Sequence, residues 1–375
     1  MVKCTSYEYQ EVKKAVNKGI ELIGGCASLV REGEKILLKP NLLAPDPPEK
    51  CVTTHPAVFK AVAEAFLETG AALFYGDSPA LGSPERTAQR TGIRQVGEEL
   101  NLTFADFKQG QEIFFPQGKQ NKKFVIAQGV LDCDGLISIA KLKTHGLTRL
   151  TGAIKNQFGC IPGVLKGEFH VKLPRVEDFA LMLVDLNRLL APRLYIMDGI
   201  MAMEGNGPRG GKAKAMHVLL FSRDPVALDA TVCRMVGLSP EAVETLIQGQ
   251  ENGLGTFNPD QIEIIGEPLA TFTDNTFIAD TGKRFPSLTN PAIKNMLVPR
   301  PRIEKEKCIR CGICVEMCPV KPPAVHWNND NKEQVPVFNY ELCIRCYCCQ
   351  EICPEGAVYL ETPLLGRLLA ALKPN

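Results

Sequence analysis

The sequence predicts an α/β fold: a layered domain on a mostly parallel sheet, followed by a small α+β domain. Three observations carry that prediction. Over about the first 285 residues, short apolar runs alternate with amphipathic segments. Pro286, Pro291, Pro299 and Pro301 then punctuate a weakly periodic stretch, as in a linker. Beyond it the spacing C-x-x-C-x-x-C-x-x-x-C-P occurs twice. These features divide the chain into a domain over 1–285, a linker over 286–301, a cysteine domain over 302–361 and an amphipathic helix over 362–375.

In the first domain the strand candidates are Lys35–Lys39, Ala72–Tyr75, Gly135–Ala140, Leu194–Met197, Val218–Phe221 and Ile262–Ile265. Helices are predicted over Pro56–Glu68, Arg175–Leu190, Pro225–Val236 and Pro240–Gln248. Pro56 suits the first helical position and Gly70 lies just beyond the end of its helix. Asp224-Pro225 supplies a cap and an initial proline in the same way. In the tail, Leu364, Leu365, Leu368, Leu369 and Leu372 share one helical face. Without a strongly basic face, that helix reads as a cover for the domain junction rather than a membrane contact.

The cysteines define the second domain. Cys308, Cys311, Cys314 and Cys318 precede Pro319, and Cys343, Cys346, Cys349 and Cys353 precede Pro354. This is the spacing of bacterial ferredoxins that hold two 4Fe–4S clusters. Three thiolates two residues apart let one tight loop wrap a cubane, and the fourth, beside proline, reaches the neighbouring cluster. CIRCGICVEMCP and CIRCYCCQEICP lie 35 residues apart, an internal repeat of two half-units packed as a pair. Crossed ligation assigns Cys308, Cys311, Cys314 and Cys353 to one cluster, and Cys343, Cys346, Cys349 and Cys318 to the other. Cys348 stands outside the spacing and reads as a buried or free thiol. Zinc ribbons compete with this reading, but structural zinc sites use two separated ligand pairs. Half-cystines this crowded have poor geometry for disulfides. Trp327 and a turn at Asn328–Lys332 predict a hairpin between the half-units.

Composition narrows the function classes. A net charge of +1 gives no electrostatic footprint for nucleic acid. No apolar run is long enough for a membrane span, and the N-terminus lacks a signal-peptide pattern. Cys4, Cys26, Cys51, Cys133, Cys160 and Cys233 are scattered, as expected of small buried residues in a reducing cytoplasm.

Polar residues recur where strands end. Lys39 and Asn41 follow the first strand, Asp77 the second, Lys141, Lys143 and His145 the third, and Asp198 the fourth. In open α/β sheets ligands bind beyond the carboxyl ends of strands, so these residues are expected around one crevice. Alternation places Lys141, Lys143 and His145 on one face, where like charges call for an anion between them, either a ligand or Asp77 and Asp198. His145 and Lys143 are the candidate catalytic groups, His145 as a proton donor. Lys39, Asn41, Asp77, Lys141, Lys155, Asn156 and Asp198 are the candidate substrate contacts. His55, before Pro56, reads as a cap or packing residue. The stretch Thr151–Cys160 offers backbone N–H groups and Lys155 to an anion. Glu204–Lys212 fails as a phosphate loop, because Asn206 occupies its first glycine position and Ala213 follows Lys212. It reads as a hairpin loop. No dinucleotide fingerprint follows any strand.

Several segments together resemble the domain of unknown function 362 family: Lys39-Pro40-Asn41, Thr54-His55-Pro56, Gly76-Asp77-Ser78, Lys141-Leu142-Lys143-Thr144-His145, Thr151-Gly152-Ala153-Ile154-Lys155-Asn156 and Ser222-Arg223-Asp224-Pro225. The resemblance spans nearly the whole chain. It implies an α/β domain fused to a two-cluster ferredoxin domain and implies no reaction.

The leading expectation is a cytoplasmic iron–sulfur oxidoreductase. It would take electrons from a redox partner protein and pass them singly from two 4Fe–4S clusters to a small anionic substrate. An electron carrier whose large domain docks a partner enzyme is the second class. A non-redox enzyme braced by structural clusters is the third.

Overall fold

The computed structural model describes residues 1–163, 165–280, 288 and 290–372. In chain order its strands are β1 (Val2–Lys3), β2 (Lys35–Pro40), β3 (Ala72–Tyr75), β4 (Thr103–Phe104), β5 (Gly110–Phe114), β6 (Lys123–Ala127), β7 (Gly135–His145), β8 (Arg149–Thr151), β9 (Leu194–Glu204) and β10 (Lys212–Ser222). The second domain adds β11 (Arg300–Ile303), β12 (Val325–His326), β13 (Val337–Phe338) and β14 (Val358–Glu361). The helices of the first domain are α1 (Tyr9–Leu22), α2 (Pro56–Leu67), α3 (Pro84–Arg90), α4 (Ile93–Glu99), α5 (Gln128–Leu131), α6 (Ala153–Asn156), α7 (Leu165–Lys172), α8 (Val176–Leu190), α9 (Pro225–Met235) and α10 (Glu244–Glu251). Then follow α11 (Pro291–Leu297), α12 (Ile313–Glu316), α13 (Cys348–Glu351) and α14 (Leu364–Leu372).

The main sheet has the order β1-β10-β9-β7-β2-β3-β4, with β8 paired to β7. From β9 through β4 every neighbouring pair on that path is parallel, and β10, β1 and β8 join antiparallel. Apolar side chains on both faces explain why the parallel strands read as continuous hydrophobic runs. One face packs around Val12, Val16, Phe59 and Phe66 of α1 and α2. The other packs around Phe179, Met182, Leu183 and Leu186 of α8. The fold is thus the predicted α/β layering, and the chain changes direction at β2, between β3 and β7.

The apolar signal ended at Ala140, yet β7 continues to His145 and carries Lys141 and Lys143 as fully enclosed strand residues. Three expectations differ from the structure. Ile262–Ile265 forms no strand: the nearby edge, β1, is only two residues long, so the contact stops at Met1 with Ile265 and Glu267. The helix predicted over Pro240–Gln248 breaks at Val243, which turns extended to bury its side chain in the core. The tail helix α14 packs its Gly366 against Leu297 of α11, leaving Leu364, Leu365 and Leu368 exposed rather than covering the junction.

Within the segment expected as a linker, residues 291–297 form α11, and Pro286 lies outside the described residues. The second domain pairs β11 with β14, and β12 with β13 as the predicted hairpin between the half-units. The Glu204–Lys212 loop is the turn joining β9 to β10. It grips the second domain: Asn206 Nδ2 donates to Val358 O at 2.9 Å, and Arg209 bridges Asp46 (2.6 Å) and Ile352 O (2.6 Å).

Candidate functional site

Because β3, β2, β7 and β9 run parallel side by side, their carboxyl ends open on one edge, where the predicted polar residues collect. They divide into separate networks. Lys141 Nζ lies 2.8 Å from Asp198 Oδ2 and donates to the Tyr7 hydroxyl at 2.7 Å. The Tyr7 hydroxyl donates to Asp198 Oδ1 at 2.9 Å. His55 stacks on Tyr7 with ring centroids 3.5 Å apart, and its Nδ1 accepts from Ala57 N, capping α2. This closed set consumes both charges, and neither Lys141 nor Asp198 lines the neighbouring cavity.

The second network is the floor of that cavity. Lys39 Nζ pairs with Asp77 Oδ1 at 2.8 Å, and Asp77 also accepts from Leu42 N and Ser78 N. Asn156 Oδ1 accepts from Asn41 Nδ2 at 3.1 Å, while its Nδ2 donates to Ser138 Oγ at 2.9 Å. Lys143 Nζ donates to Asn41 Oδ1 at 2.8 Å and to Val52 O, both neutral acceptors. Burial, then the Lys155 ammonium nearby, lowers the Lys143 pKa to about 7. Gly159 makes the floor possible: a Cβ there would stand 1.9 Å from Asp77 Oδ1.

The roof comes from the other domain. Glu351, on α13 inside the second cysteine repeat, reaches over the sheet edge. Its carboxylate lies 3.7 Å from Lys155 Nζ and 3.6 Å from His145 Nε2. Burial pushes Glu351 toward protonation, but Lys155 and then His145 and His170 outweigh it and hold the carboxyl well below its usual range. His145 Nδ1 accepts from Leu147 N (3.0 Å) and Thr148 N (3.3 Å), so any imidazole proton sits on Nε2, facing Glu351. Burial, followed by Lys155, lowers the His145 pKa to about 4, leaving the ring neutral at pH 7.

The floor and roof enclose an inner pocket of about 40 Å³. Asn41, Asp77, Lys143, Lys155 and Asn156 line it, together with Thr151, from the stretch read as offering backbone N–H groups, and Lys166, which sequence reasoning missed. Lys166 Nζ donates to Ser78 Oγ at 2.6 Å and to Ile161 O at 3.1 Å, and burial lowers its pKa to about 8. Ala80, Phe158, Lys166 and Glu351 also border an outer chamber of about 510 Å³ between α7 and the cysteine loops, where Cys318 and Cys348 reach the wall. Glu351 had been hidden by its motif, whose spacing was read only for ligands. Lys166 had no signal beyond following Pro162-Gly163. Cys160 is enclosed with its pKa pushed up to about 12 by burial, and so is a packing residue.

The cysteine loops fit a pair of clusters. The thiol of Cys314 has Cys353, Cys311 and Cys308 as electrostatic neighbours; that of Cys349 has Cys346 and Cys343, then Cys314 and Cys318. The neighbours of Cys314 are those of the first crossed set, whereas those of Cys349 include Cys314 as well as Cys318, so the two loops lie side by side. Both loops share their unusual backbone: Arg310 and Arg345 have φ of 57° and 64°, and Gly312 and Tyr347 have 76° and 61°. Such left-handed residues fold a loop back on itself. Arg345 is buried, with Nε and Nη1 lacking a hydrogen-bond acceptor, as donors facing an anionic cluster would be.

Comparison with known proteins matches residues 36–234 to the profile described as domain of unknown function (DUF362), and residues 307–357 to that of a 4Fe-4S dicluster domain. The thylakoid-associated protein sll1697 of Synechocystis sp. is 32% identical over 279 residues, covering 73% of this chain and 85% of that protein. Among solved structures, the lactate racemase apoprotein of Thermoanaerobacterium thermosaccharolyticum aligns at a TM-score of 0.40 with 11% identity, over 62% of this chain and 55% of that one. A Thermotoga maritima protein aligns at 0.34 with 12% identity, over 60% and 57%. The chain thus spans little more than half the length of either structure. Among the described residues no helix is long and apolar enough to cross a membrane.

Proposed function

The chain belongs to the DUF362 family, and from that premise, with its 4Fe-4S dicluster domain, we propose an iron–sulfur oxidoreductase acting on a small anion in the inner pocket. The observation that carries this reading is the position of Glu351, between two candidate cluster ligands and also in the roof of the basic pocket. The second cysteine loop and the pocket therefore share a wall.

The eight motif cysteines would hold two clusters in the crossed sets. When bound, the clusters supply single electrons that originate from a reduced carrier protein. Lys155 and Lys166 hold the anion. Lys143, with a pKa near neutrality and only neutral partners, is the proton donor suited to pH 7. His145 positions Glu351 and Lys155, because its neutral ring faces the carboxylate. Glu351 closes the pocket to bulk water, which strengthens each interaction inside. Lys141 and Asp198 brace the strand ends. The exposed Cys311 on the first loop fits a reducing compartment such as the cytoplasm.

The test is a redox titration of anaerobically prepared protein, followed by electron paramagnetic resonance, with mass spectrometry of any co-purifying small molecule. Two reversible cluster signals and an anion lost on replacing Lys143 and Lys155 with Met are expected. Clusters that resist reversible reduction at every accessible potential would overturn electron delivery, and zinc in place of iron would overturn the cofactor.

A further inference from the structure

We propose that the ligand of this site is a monocarboxylate with an apolar body, seated head-first. Its carboxylate occupies the inner pocket and its body fills the outer chamber between α7 and the cysteine loops. This rests on the reading above that the basic pocket binds an anion, and it names the anion's class.

The inner pocket, about 40 Å³, has room for a small head group and none for the body of a larger ligand. Charge decides its sign. Lys39 is matched by Asp77 and Lys155 faces Glu351, whereas Lys143 and Lys166 bond only to neutral oxygens. One added negative charge therefore meets two ammonium groups that lack a carboxylate. Thr151 adds an independent sign of a missing partner: the residue lines the inner pocket, and its buried hydroxyl has no hydrogen-bond partner.

The outer chamber decides the body. Its volume of about 510 Å³ lies within the usual range for small-molecule pockets, and Phe158, Val171, Met317, Pro319 and Ile352 give it apolar walls. Gly167 on α7 lines it opposite the first repeat, where a Cβ would only touch Pro319 Cβ at 3.7 Å and a longer side chain would enter the chamber. Phe158 borders both compartments, so an apolar body leaving the inner pocket meets an aromatic wall at once.

The test is isothermal titration calorimetry of the anaerobic, cluster-loaded protein with phenylacetate, phenylacetamide and acetate as probes. Phenylacetate is expected to bind at least about tenfold more tightly than either of the others, each lacking one half of the recognition. Lys166→Met, which removes one of the two unmatched ammonium groups, should bring phenylacetate down to the level of the amide. Gly167→Leu should weaken phenylacetate about tenfold and leave acetate unchanged. If Gly167→Leu fails to fold, Val171→Trp narrows the same chamber from a position 44% exposed. Equal binding of phenylacetamide overturns the carboxylate, and indifference of phenylacetate to both chamber variants overturns the apolar body. Inorganic phosphate displacing phenylacetate at lower concentration overturns the head-group assignment. All these readouts are binding, so they stand or fall separately from cluster reduction.

Discussion

In the first half-unit of the cysteine domain, Cys311 is exposed and its neighbour Ile309 is 59% open to solvent; in the second, Cys346 and Ile344 are partly covered. Arg310 donates to Glu333 O at the surface, whereas Arg345 is only 5% exposed, with its guanidinium 5.0 Å from the Tyr340 ring and hydrogen-bonded to Asn295. Glu316 is exposed; its counterpart Glu351 is enclosed against Lys155 and His145. The backbone curls alike in both loops. One repeat thus serves two purposes: shared residues shape the ligand loops, and unlike surroundings give the pair a direction. The first loop faces solvent, where the proposed carrier protein would arrive, and the second faces the pocket.

The largest expected effect tests that direction. Cys311→Ser and Cys346→Ser should each lower iron per chain by about half, since each removes a ligand from one of two clusters. Their consequences should differ. Cys311→Ser is expected to abolish fast reduction by a reduced ferredoxin while dithionite still reduces the remaining cluster. Cys346→Ser should keep fast reduction by ferredoxin and stop electron release to the pocket's ligand. Stopped-flow absorbance with paramagnetic resonance reads both, and identical behaviour of the two variants would remove the directionality.

The next contrast sets Lys141 against the glutamates. Lys141→Met leaves Asp198 buried beside Tyr7 without its cation, a loss of about 3–5 kcal/mol of stability. Ligand binding by whatever protein stays folded should change little. Glu351→Gln should cost about 2–3 kcal/mol, as buried Lys155 and His145 lose a charged partner. Glu316→Gln, the same change in the exposed loop, should cost under about 0.5 kcal/mol. Urea unfolding of the three variants checks the series, and equal costs at 316 and 351 would dissolve the contrast.

How much of this was legible in the sequence depends on the range of the signal. The cysteine spacing is local, so the motif alone pointed to the ligand sets, and the apolar runs marked most strands. Strand ends placed Lys39, Asn41, Asp77 and Lys143 near one another, because a parallel sheet aligns its carboxyl edges. The sorting of the basic residues was not legible. Lys141 and Lys143 lie on one strand two residues apart, yet Tyr7, from the start of the chain, claims Lys141 for Asp198 and frees Lys143. Glu351 reaches the pocket only because Asn206 and Arg209 anchor the second domain against the sheet, a contact between segments more than 140 residues apart. Ile262–Ile265 failed in the other direction: a sound strand pattern found no edge long enough to pair with.

Lys143 supplies a smaller, pH-dependent effect. Its folded pKa of about 7 lies below the ordinary lysine value of 10.5. Between those values the unfolded chain binds the extra proton, so this residue makes the folded state gain stability as pH rises through that window. Proton donation runs the opposite way: the ammonium is present below about pH 7 and is lost above it, roughly tenfold per pH unit. Electron release to the pocket's ligand should therefore fall on the alkaline side while Lys143's contribution to stability rises. Lys143→Met should flatten both trends, measured as stopped-flow rates and urea midpoints from pH 6 to 10. Loss of neither would reassign the proton donor.

The smallest effect returns to the two loops. Arg310 and Arg345 both adopt left-handed backbone, which costs a side-chain-bearing residue roughly 1–2 kcal/mol and glycine almost nothing. Arg310→Gly gives up one exposed hydrogen bond, to Glu333 O, worth about 1 kcal/mol, so strain relief and loss nearly cancel. Arg345→Gly gains the same relief but loses the Asn295 bond, the packing on Tyr340 and two buried N–H donors that have no protein acceptor. A change within about 1 kcal/mol at 310 and a clear loss at 345 are expected in urea unfolding of the cluster-loaded protein. The second cluster should also be reduced at a lower potential in Arg345→Gly, because removing a buried cation and its N–H donors disfavours the added electron. An unchanged potential would mean that Arg345 shapes the loop without addressing the cluster, and the buried half-unit would then owe its asymmetry to Glu351 alone.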